Sequence, residues 1–208
     1  MVTQQRGREI EVEAADAAAQ KRTWNALANC FHQLGTTRKV AAHQSLLRPG
    51  DVARHLYLIE RGAARLFVLS PQGAETSIQF FFEGEVVSSL ESLATGEPSS
   101  LGLVSMEPCT LKVVERTALM SRIEQDPALR LSLMSLAQER LIHYIKLYTC
   151  AIASTPTQRY VELQATHNDT LERIPLNSLA GYLGVSAVHL SRIRRKLKMS
   201  ARRIAEPL

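Results

Sequence analysis

Residues 179–198, LAGYLGVSAVHLSRIRRKLK, contain two short amphipathic segments that meet at a glycine. Residues 176–183 predict a helix of about two turns. Gly184 then supplies the positive φ that a tight turn between helices requires, and Ser186 is a good N-cap for a second helix. The second helix repeats apolar residues at i, i+3 and i+7, which must face the first helix: Leu190, Ile193 and Leu197. The pattern predicts a helix-turn-helix.

The opposite face of the second helix is polar and basic, and it consists of Ala187, Val188, Ser191, Arg192 and Arg195. A helix of this kind enters the major groove of DNA, where its first two turns reach base edges. We expect Val188, Ser191 and Arg192 to contact bases, since the planar guanidinium group matches the N7 and O6 acceptors of guanine. Contacts to phosphates are expected from residues around and beyond them: His189, Arg194, Arg195, Lys196 and Lys198.

The charge of the chain is distributed unevenly. Residues 1–150 contain 16 basic and 16 acidic side chains, whereas residues 151–208 contain 9 basic and 4 acidic ones and account for the whole net charge of +5. This asymmetry favours a polyanionic partner for the C-terminal part. A solvated basic surface is the alternative, because neither the charge nor a lone basic helix decides the matter.

The N-terminal half predicts a β domain with flanking helices. Residues 1–16 read as a polar leader, and residues 17–34 as a helix that ends at Gly35. Short alternating or apolar runs separated by turn residues fill residues 40–114, which is typical of an antiparallel barrel or sandwich. A short helix follows at residues 115–123.

A long helical pattern covers residues 127–153, with Asp126 as its N-cap and Pro127 in its first turn. It carries two adjoining apolar stripes, one through Leu129, Leu133, Leu136 and Arg140 and the other through Leu141, Ile145, Tyr148 and Ile152. Either the chain covers both stripes itself, or a second copy covers one of them. For a dimer we expect these contact residues: Leu133, Leu136, Leu141, Tyr144, Ile145 and Tyr148.

Thr155 and Pro156 predict the cap and first position of a further helix, and we place a domain boundary there. The predicted units are a leader (1–16), a sensor domain (17–126), a dimerisation helix (127–153) and a DNA-binding domain (154–208) whose recognition helix spans residues 187–198.

The segment IPLNSLAGYLGVSAVHLSRIRRKL resembles the winged helix-turn-helix of the Crp/Fnr family, the bacterial regulators related to the cyclic-AMP receptor protein. RPGD…HLYLIERGAARLFV and FFEGE resemble the family's cyclic-nucleotide-binding-like β-roll. The resemblance implies an α+β protein with an N-terminal antiparallel β-roll, a long dimerisation helix and a C-terminal winged helix-turn-helix. It also implies a homodimer that binds palindromic double-stranded DNA and works with RNA polymerase.

By this resemblance Arg192 is the base-reading arginine, Ser191 a base contact and Ser186 a phosphate contact. Ala187 and Val188 depart from the family, which often has a polar or charged residue and a glutamate there. Valine cannot accept a hydrogen bond from cytosine, although it can contact a thymine methyl group. The half-site of the well-known members is therefore not expected here.

The resemblance also implies an effector pocket, for which we name Arg65, Gly84, Glu85, Ser99 and Ser100. Members that bind cyclic AMP have an arginine followed by serine or threonine where this chain has the two serines. A buried phosphate without a charged partner is costly, so we do not expect cyclic AMP as the effector. Another ligand, or a pocket without a ligand, remains open.

No cofactor is identified in the sequence. Cys30, Cys109 and Cys150 lack disulfide or metal-ligand spacing, and the single cysteine near the N-terminus does not suit an iron–sulfur cluster. Four histidines available for haem, His32, His43, His55 and His143, are more typical of surface or core positions. We expect no metal and no catalysis, and the N-terminus without an apolar stretch favours a cytoplasmic protein without a membrane partner.

Two other functions remain open. One is a ligand-binding module whose C-terminal domain contacts proteins and binds no specific DNA. The other is a constitutive regulator whose β-roll only supports dimerisation.

Overall fold

Eight short strands form the N-terminal half of the protein, in a computed structural model that describes residues 26–166 and 170–205. They are β1 (Thr36–Val40), β2 (Ser45–Leu47), β3 (His55–Arg61), β4 (Ala64–Leu69), β5 (Glu75–Phe81), β6 (Val86–Val87), β7 (Leu101–Ser105) and β8 (Cys109–Glu115). They pair antiparallel in two four-stranded sheets, in the orders β1-β8-β3-β6 and β2-β7-β4-β5. We refer to β1–β8 as the roll.

The helices surround the roll and form the C-terminal part of the protein. They are α1 (26–34), α2 (Leu90–Thr95), α3 (Arg116–Gln125), α4 (Pro127–Ala153), α5 (Pro156–Thr166), α6 (Leu176–Tyr182) and α7 (Ala187–Ala205), with a 3₁₀ turn at Leu171–Arg173. The predicted long helix at residues 127–153 is confirmed, and the recognition helix continues past residue 198 to Ala205. The predicted leader and the first part of the predicted helix 17–34 lie outside the described residues.

The roll closes over an apolar core because its strands alternate between inward and outward residues. Leu56, Ile59, Leu66, Leu103 and Leu111 are among the fully buried side chains. The two sheets face each other through these residues, so the roll forms one core that also receives α1, α3 and the start of α4.

Gly62 makes the tight connection between β3 and β4. Its φ is +102°, and a Cβ there would lie 2.7 Å from the sulfur of Cys109 and 2.7 Å from the carbonyl oxygen of Pro108. The backbone therefore approaches the β7–β8 turn more closely than any other residue type would allow.

Helix α4 begins as the sequence predicts and packs one face onto the roll. The Asp126 carboxylate accepts from the amides of Ala128 (3.0 Å) and Leu129 (3.1 Å), and Pro127 follows at the first position. Leu129, Ser132 and Leu136 are buried at i, i+3 and i+7. The stripe toward the roll thus ends near the middle of the helix, and the remaining turns extend beyond it.

Two details differ from the sequence-based expectation. Gly35 ends α1 without a left-handed φ: its amide donates to the Phe31 carbonyl at 3.0 Å, and a Cβ would lie 2.3 Å from that oxygen. No strand occurs in the described part of residues 154–208, so the paired strands of the expected wing are not seen there. A 3₁₀ turn, Leu171–Arg173, lies in the described part of the connection from α5 to α6.

One further observation concerns membranes. None of the helices in residues 26–166 and 170–205 has both the length and the apolar composition to cross a bilayer.

Two leucine substitutions, one in α4 and one in β4, provide a matched test of the packing of α4. Leu129→Ala should lower the free energy of unfolding by about 2–5 kcal/mol, because it leaves a cavity where a fully buried side chain was. Leu69→Ala, at a position of β4 that is 46% exposed, should change it by less than about 1 kcal/mol. Urea unfolding followed by circular dichroism measures both, and equal losses would contradict this packing of α4.

Candidate nucleic-acid interface

Helices α6 and α7 cross at a turn built around Gly184. This residue has φ +67°, and its amide donates to the Gly181 carbonyl at 3.0 Å. The Val185 amide then donates to Ala180 at 3.0 Å, which caps the end of α6, and the Val185 side chain packs on the core between the helices. The left-handed backbone that the sequence requires at this glycine is thus present.

The second helix starts where predicted and faces the first with its apolar side. The amide of His189 donates to the Ser186 hydroxyl at 3.2 Å, which confirms Ser186 as the N-cap. Leu190 and Ile193 are buried against α6, and Leu197 packs at the edge of the same cluster. The two helices are therefore locked in one crossing geometry.

Most of the residues predicted to contact bases lie together on the opposite face of α7. Val188 is 63% exposed, and Ser191, Arg192, Arg195 and Lys196 are also exposed. They form a continuous polar and basic surface that we call the α7 face. The exposure of these side chains leaves the α7 face accessible in the described structure.

Three residues of the prediction lie elsewhere. Ala187 is half-buried and packs on the helix-turn-helix core rather than facing outward. The Arg194 guanidinium lies 5.6 Å from the centre of the Tyr160 ring, and its Nε is buried, so this side chain supports the fold and is withdrawn from the α7 face. The side chain of Lys198 lies outside the described residues.

Thr157 belongs to the same surface, although the sequence analysis missed it. It lines a shallow groove of about 430 Å³ together with Ser186, Val188, Arg192 and Lys196. Thr157 lies in the first turn of α5, where the positive end of the helix dipole favours an anion. Its position after Thr155 and Pro156, at the start of a helix, is the signal that would have suggested a phosphate contact.

The connection from α4 to α5 is closed by reciprocal capping. The Thr155 amide donates to the Gln158 side-chain oxygen at 2.8 Å, and the Gln158 amide donates to the Thr155 hydroxyl at 3.3 Å. Arg159 then donates to the carbonyls of Ala151 (3.0 Å) and Leu183 (2.8 Å). One guanidinium group therefore joins the end of α4 to the end of α6, and it fixes the angle between them.

In the roll, Gly84 and Glu85 form the turn between β5 and β6. Gly84 has φ +82°, and one oxygen of Glu85 accepts from the Phe82 amide at 2.7 Å. This carboxylate also has a nearby cation, because the half-buried Arg140 of α4 lies close enough for a favourable charge interaction. Glu85 thus stabilises the β5–β6 connection.

The remaining residues of the expected effector pocket differ in exposure and in their partners. The Ser99 hydroxyl is buried and donates to the Ser89 hydroxyl at 2.8 Å, whereas Ser100 is exposed. Arg65 pairs with Glu75 on the neighbouring strand and lies over the Phe67 ring, with 5.0 Å to its centre.

Arg140 was predicted only as part of an apolar stripe, but it has a specific role. It donates to the Val86 carbonyl at 2.9 Å, and its guanidinium lies 4.5 Å from the centre of the Phe81 ring. Burial lowers the pKa of Arg140, while the charge of Glu85 opposes that shift. Arg140 thus connects α4 to the roll through a hydrogen bond and a cation–π contact.

Beyond Arg140, the apolar side chains of α4 are exposed. Of the predicted dimer residues, Leu141, Ile145 and Tyr148 are exposed. Leu133 packs against the roll, Leu136 is buried in its core, and Tyr144 is half-buried. Leu133 and Leu136 are therefore not available as dimer contacts, because they lie on the same stripe as Leu129, and the chain covers that stripe itself.

The cysteines fit structural positions. Cys30 and Cys109 are buried, and burial raises the pKa of both thiols. Within the described ranges, no cluster of three histidine, cysteine or carboxylate residues could hold a metal ion.

Comparison with known proteins supports this architecture. Residues 37–126 match the family model of the cyclic nucleotide-binding domain. The structure of FixK2 from Bradyrhizobium japonicum superimposes with a TM-score of 0.74 at 17% identity, and it covers 81% of this chain and 86% of FixK2. This is the fold of the Crp/Fnr regulators.

Other structures with the Crp/Fnr fold agree. The c-di-GMP-responsive global regulator CLP from Xanthomonas campestris has a TM-score of 0.69 at 18% identity, over 84% of this chain and 91% of CLP. The catabolite activator protein of Thermus thermophilus has a TM-score of 0.52 at 22% identity, over 85% of this chain and 84% of its own. No curated protein sequence matches the chain. The predicted roll, long helix and helix-turn-helix are thereby confirmed as a fold.

Proposed function

We propose that this protein is a transcription regulator that binds palindromic double-stranded DNA as a homodimer and has no catalytic role. The α7 face is the observation that carries the proposal. It places Arg192, Ser191 and Val188 at the start of an exposed helix whose other side is fully used in packing. That arrangement suits insertion into a major groove, with Arg192 against guanine and Val188 against a thymine methyl group.

Phosphate contacts surround this base-reading centre. Ser186, His189, Arg195 and Lys196 are exposed on α7 or at its start, and Thr157 adds the first turn of α5. Cations and helix amides at the edges of the groove hold the orientation of the recognition helix, while the base contacts decide the sequence.

The exposed side of α4 supports the homodimer. Its apolar residues recur with alternating spacings of three and four: Leu131, Met134, Leu141, Ile145, Tyr148 and Ile152, with Gln138 completing the series. This is the heptad spacing of a two-stranded coiled coil, and we call these residues the α4 seam. The seam extends over about 32 Å, at 1.5 Å per residue. A single polar Gln138 in the seam suits the fixing of register between two identical helices.

Constitutive DNA binding is a second candidate, favoured by a specific observation. The polar groups expected to meet an effector are satisfied within the roll: Glu85 by the Phe82 amide and Ser99 by Ser89. In addition, Arg140 already connects the roll to α4. A regulator held in this way would not need a cyclic nucleotide.

In vitro selection from randomised duplex DNA is the direct test of the proposed function. We expect enrichment of a sequence with two inverted half-sites. Enrichment of a half-site without symmetry would contradict the homodimer, and no enrichment, even with cell extract to supply effectors, would contradict specific DNA binding.

Arg192 and Lys196 should differ in their effect on DNA binding. Arg192→Ala should cost about 1–3 kcal/mol per half-site on the selected sequence and relax the preference at one base pair. Lys196→Ala should weaken binding to all duplexes by a similar factor. It should also reduce the slope of log K against log salt concentration by about one. Fluorescence anisotropy over a salt series measures both, and identical behaviour of the two variants would contradict the assignment.

The α4 seam is tested by two adjacent substitutions. Ile145→Glu places a charge in the seam and should convert the dimer to monomer at micromolar concentration, because a charge cannot be desolvated there without a partner. Lys146→Glu, on the helix surface away from the seam, should leave the dimer intact. Analytical ultracentrifugation gives the masses, and a dimer for Ile145→Glu would exclude the seam.

The effect of cyclic nucleotides on DNA binding can be measured directly. Cyclic AMP or cyclic GMP at millimolar concentration should change the affinity for the selected duplex by less than about twofold, because no differential contact in the roll would shift its equilibrium. An increase of tenfold or more with either nucleotide would show that the serine-rich roll binds it.

A further inference from the structure

The helix-turn-helix shares its hydrophobic core with the roll. Ala63, Phe82 and Met106 belong to the roll, yet they are buried in the same cluster as Leu179 and Leu190. These roll residues come from the β3–β4 connection, the end of β5 and the β7–β8 turn. The DNA-binding domain therefore packs directly against the roll of the same chain, in addition to its covalent connection through α4.

Arg173 holds the two parts together at the rim of this contact. It donates to both oxygens of Glu83 at 2.8 Å and also pairs with Glu107. Its guanidinium lies 5.3 Å from the centre of the Phe82 ring. We call Arg173, Glu83 and Glu107 the clasp.

The roll side of the clasp is pre-formed. One oxygen of Glu83 also accepts from the Gly62 amide at 2.8 Å, which orients the carboxylate toward Arg173. The hydrogen bonds from Arg173 are the main reason that the pKa of Glu83 falls to about 2. The ion pair therefore persists throughout the neutral range.

Two other contacts limit rotation of the DNA-binding domain. The rings of Phe80 and Tyr182 lie 5.2 Å apart, which joins β5 to α6. Arg159 links the end of α4 to Leu183 at the end of α6. With the clasp, these contacts attach the helix-turn-helix at three separated points, so α7 has a fixed direction relative to α4.

We propose that the clasp sets the spacing between the two half-sites that the dimer accepts. This inference rests on the proposed function, and it assigns Arg173 a positioning role without contact to DNA. In the dimer formed through the α4 seam, the two copies of α7 are related by the dimer axis. The clasp fixes the angle of each α7 relative to its own α4. One added base pair moves a half-site by about 3.4 Å and turns it by about 35°. A rigidly held pair of helices cannot follow that displacement.

The clasp can be removed without removing the fold. Its side chains are about one-third exposed (31% for Arg173 and 32% for Glu107), whereas the shared core beneath it is buried. Truncating Arg173 should leave the α6–α7 crossing intact and widen the range of angles available to the domain. Loss of orientation and loss of folding are thus separable.

The test compares wild type, Arg173→Ala and Arg173→Lys on a series of duplexes. Each duplex carries the two selected half-sites with the central spacer changed by −2 to +2 base pairs. Arg122→Ala is the matched control, because it removes an Arg–Asp ion pair (3.8 Å) of similar exposure between α3 and Asp126, away from the junction.

Wild type and Arg122→Ala should bind the best spacing at least about tenfold more tightly than the next one, equivalent to about 1.4 kcal/mol. For Arg173→Ala this ratio should fall below about threefold, with unchanged dimer mass and circular dichroism. Arg173→Lys should be intermediate, because an ammonium group keeps the charge without the two-pronged pairing to Glu83.

The outcomes separate the two proposals. If wild type binds no selected duplex, the proposed function is wrong. If wild type shows a sharp spacing preference and Arg173→Ala keeps it, only the role of the clasp is wrong. A flat profile for wild type would also contradict the clasp, since its fixed angle would then have no effect. If Arg173→Ala does not fold, the Arg173→Lys profile decides, and an unchanged ratio contradicts the inference.

Discussion

The packing of α4 against the roll organises the whole molecule. A helix of 27 residues with two apolar stripes cannot be satisfied by one small β domain. Leu129 and Leu136 bury the first stripe, and Arg140 closes that contact over Phe81. The second stripe, from Leu131 to Ile152, is exposed along the α4 seam. Helix α4 therefore presents one side to its own roll and another side to solvent.

The roll keeps the shape of a ligand-binding domain while its polar groups are satisfied internally. Ser92 and Ser99 are buried, and both make hydrogen bonds within the loops around α2. Such a network stabilises the region because each buried hydroxyl has a partner. A cyclic phosphate would have to break it and would still lack the arginine that neutralises phosphate in related domains. The cost of that exchange argues for a different signal or for none.

Local features of the structure were predictable from sequence, and contacts between distant residues were not. Asp126, Thr155, Gly184 and Ser186 all act through backbone groups within four residues, so their roles follow from residue type and spacing alone. The Arg192 surface followed from helical periodicity and remains a prediction as a DNA contact. By contrast, Arg173 and Glu83 are separated by 90 positions, and nothing local in either segment indicates that they meet.

The incorrect expectations have related causes. Arg194 was assigned to the surface because it is basic, but helical rotation turns it toward Tyr160. Leu133 and Leu136 were assigned to the dimer because both stripes of α4 are apolar, and sequence alone does not tell which stripe the roll covers. The wing is a different case: it was expected only from the resemblance to relatives, and no strand occurs among the described residues between α5 and α6.

Phe82 and Met106 have a consequence for how the protein unfolds. They belong to the roll in sequence, but they complete the core around α6 and α7. A fragment that begins at residue 154 would expose that core to water, and a roll produced alone would expose its complementary surface. The predicted domain boundary near residue 154 therefore does not separate two independently stable domains. The roll and the helix-turn-helix should unfold as one cooperative unit. Substitutions at the end of β5 or in the β7–β8 turn would then alter the stability of the helix-turn-helix without changing any residue in it.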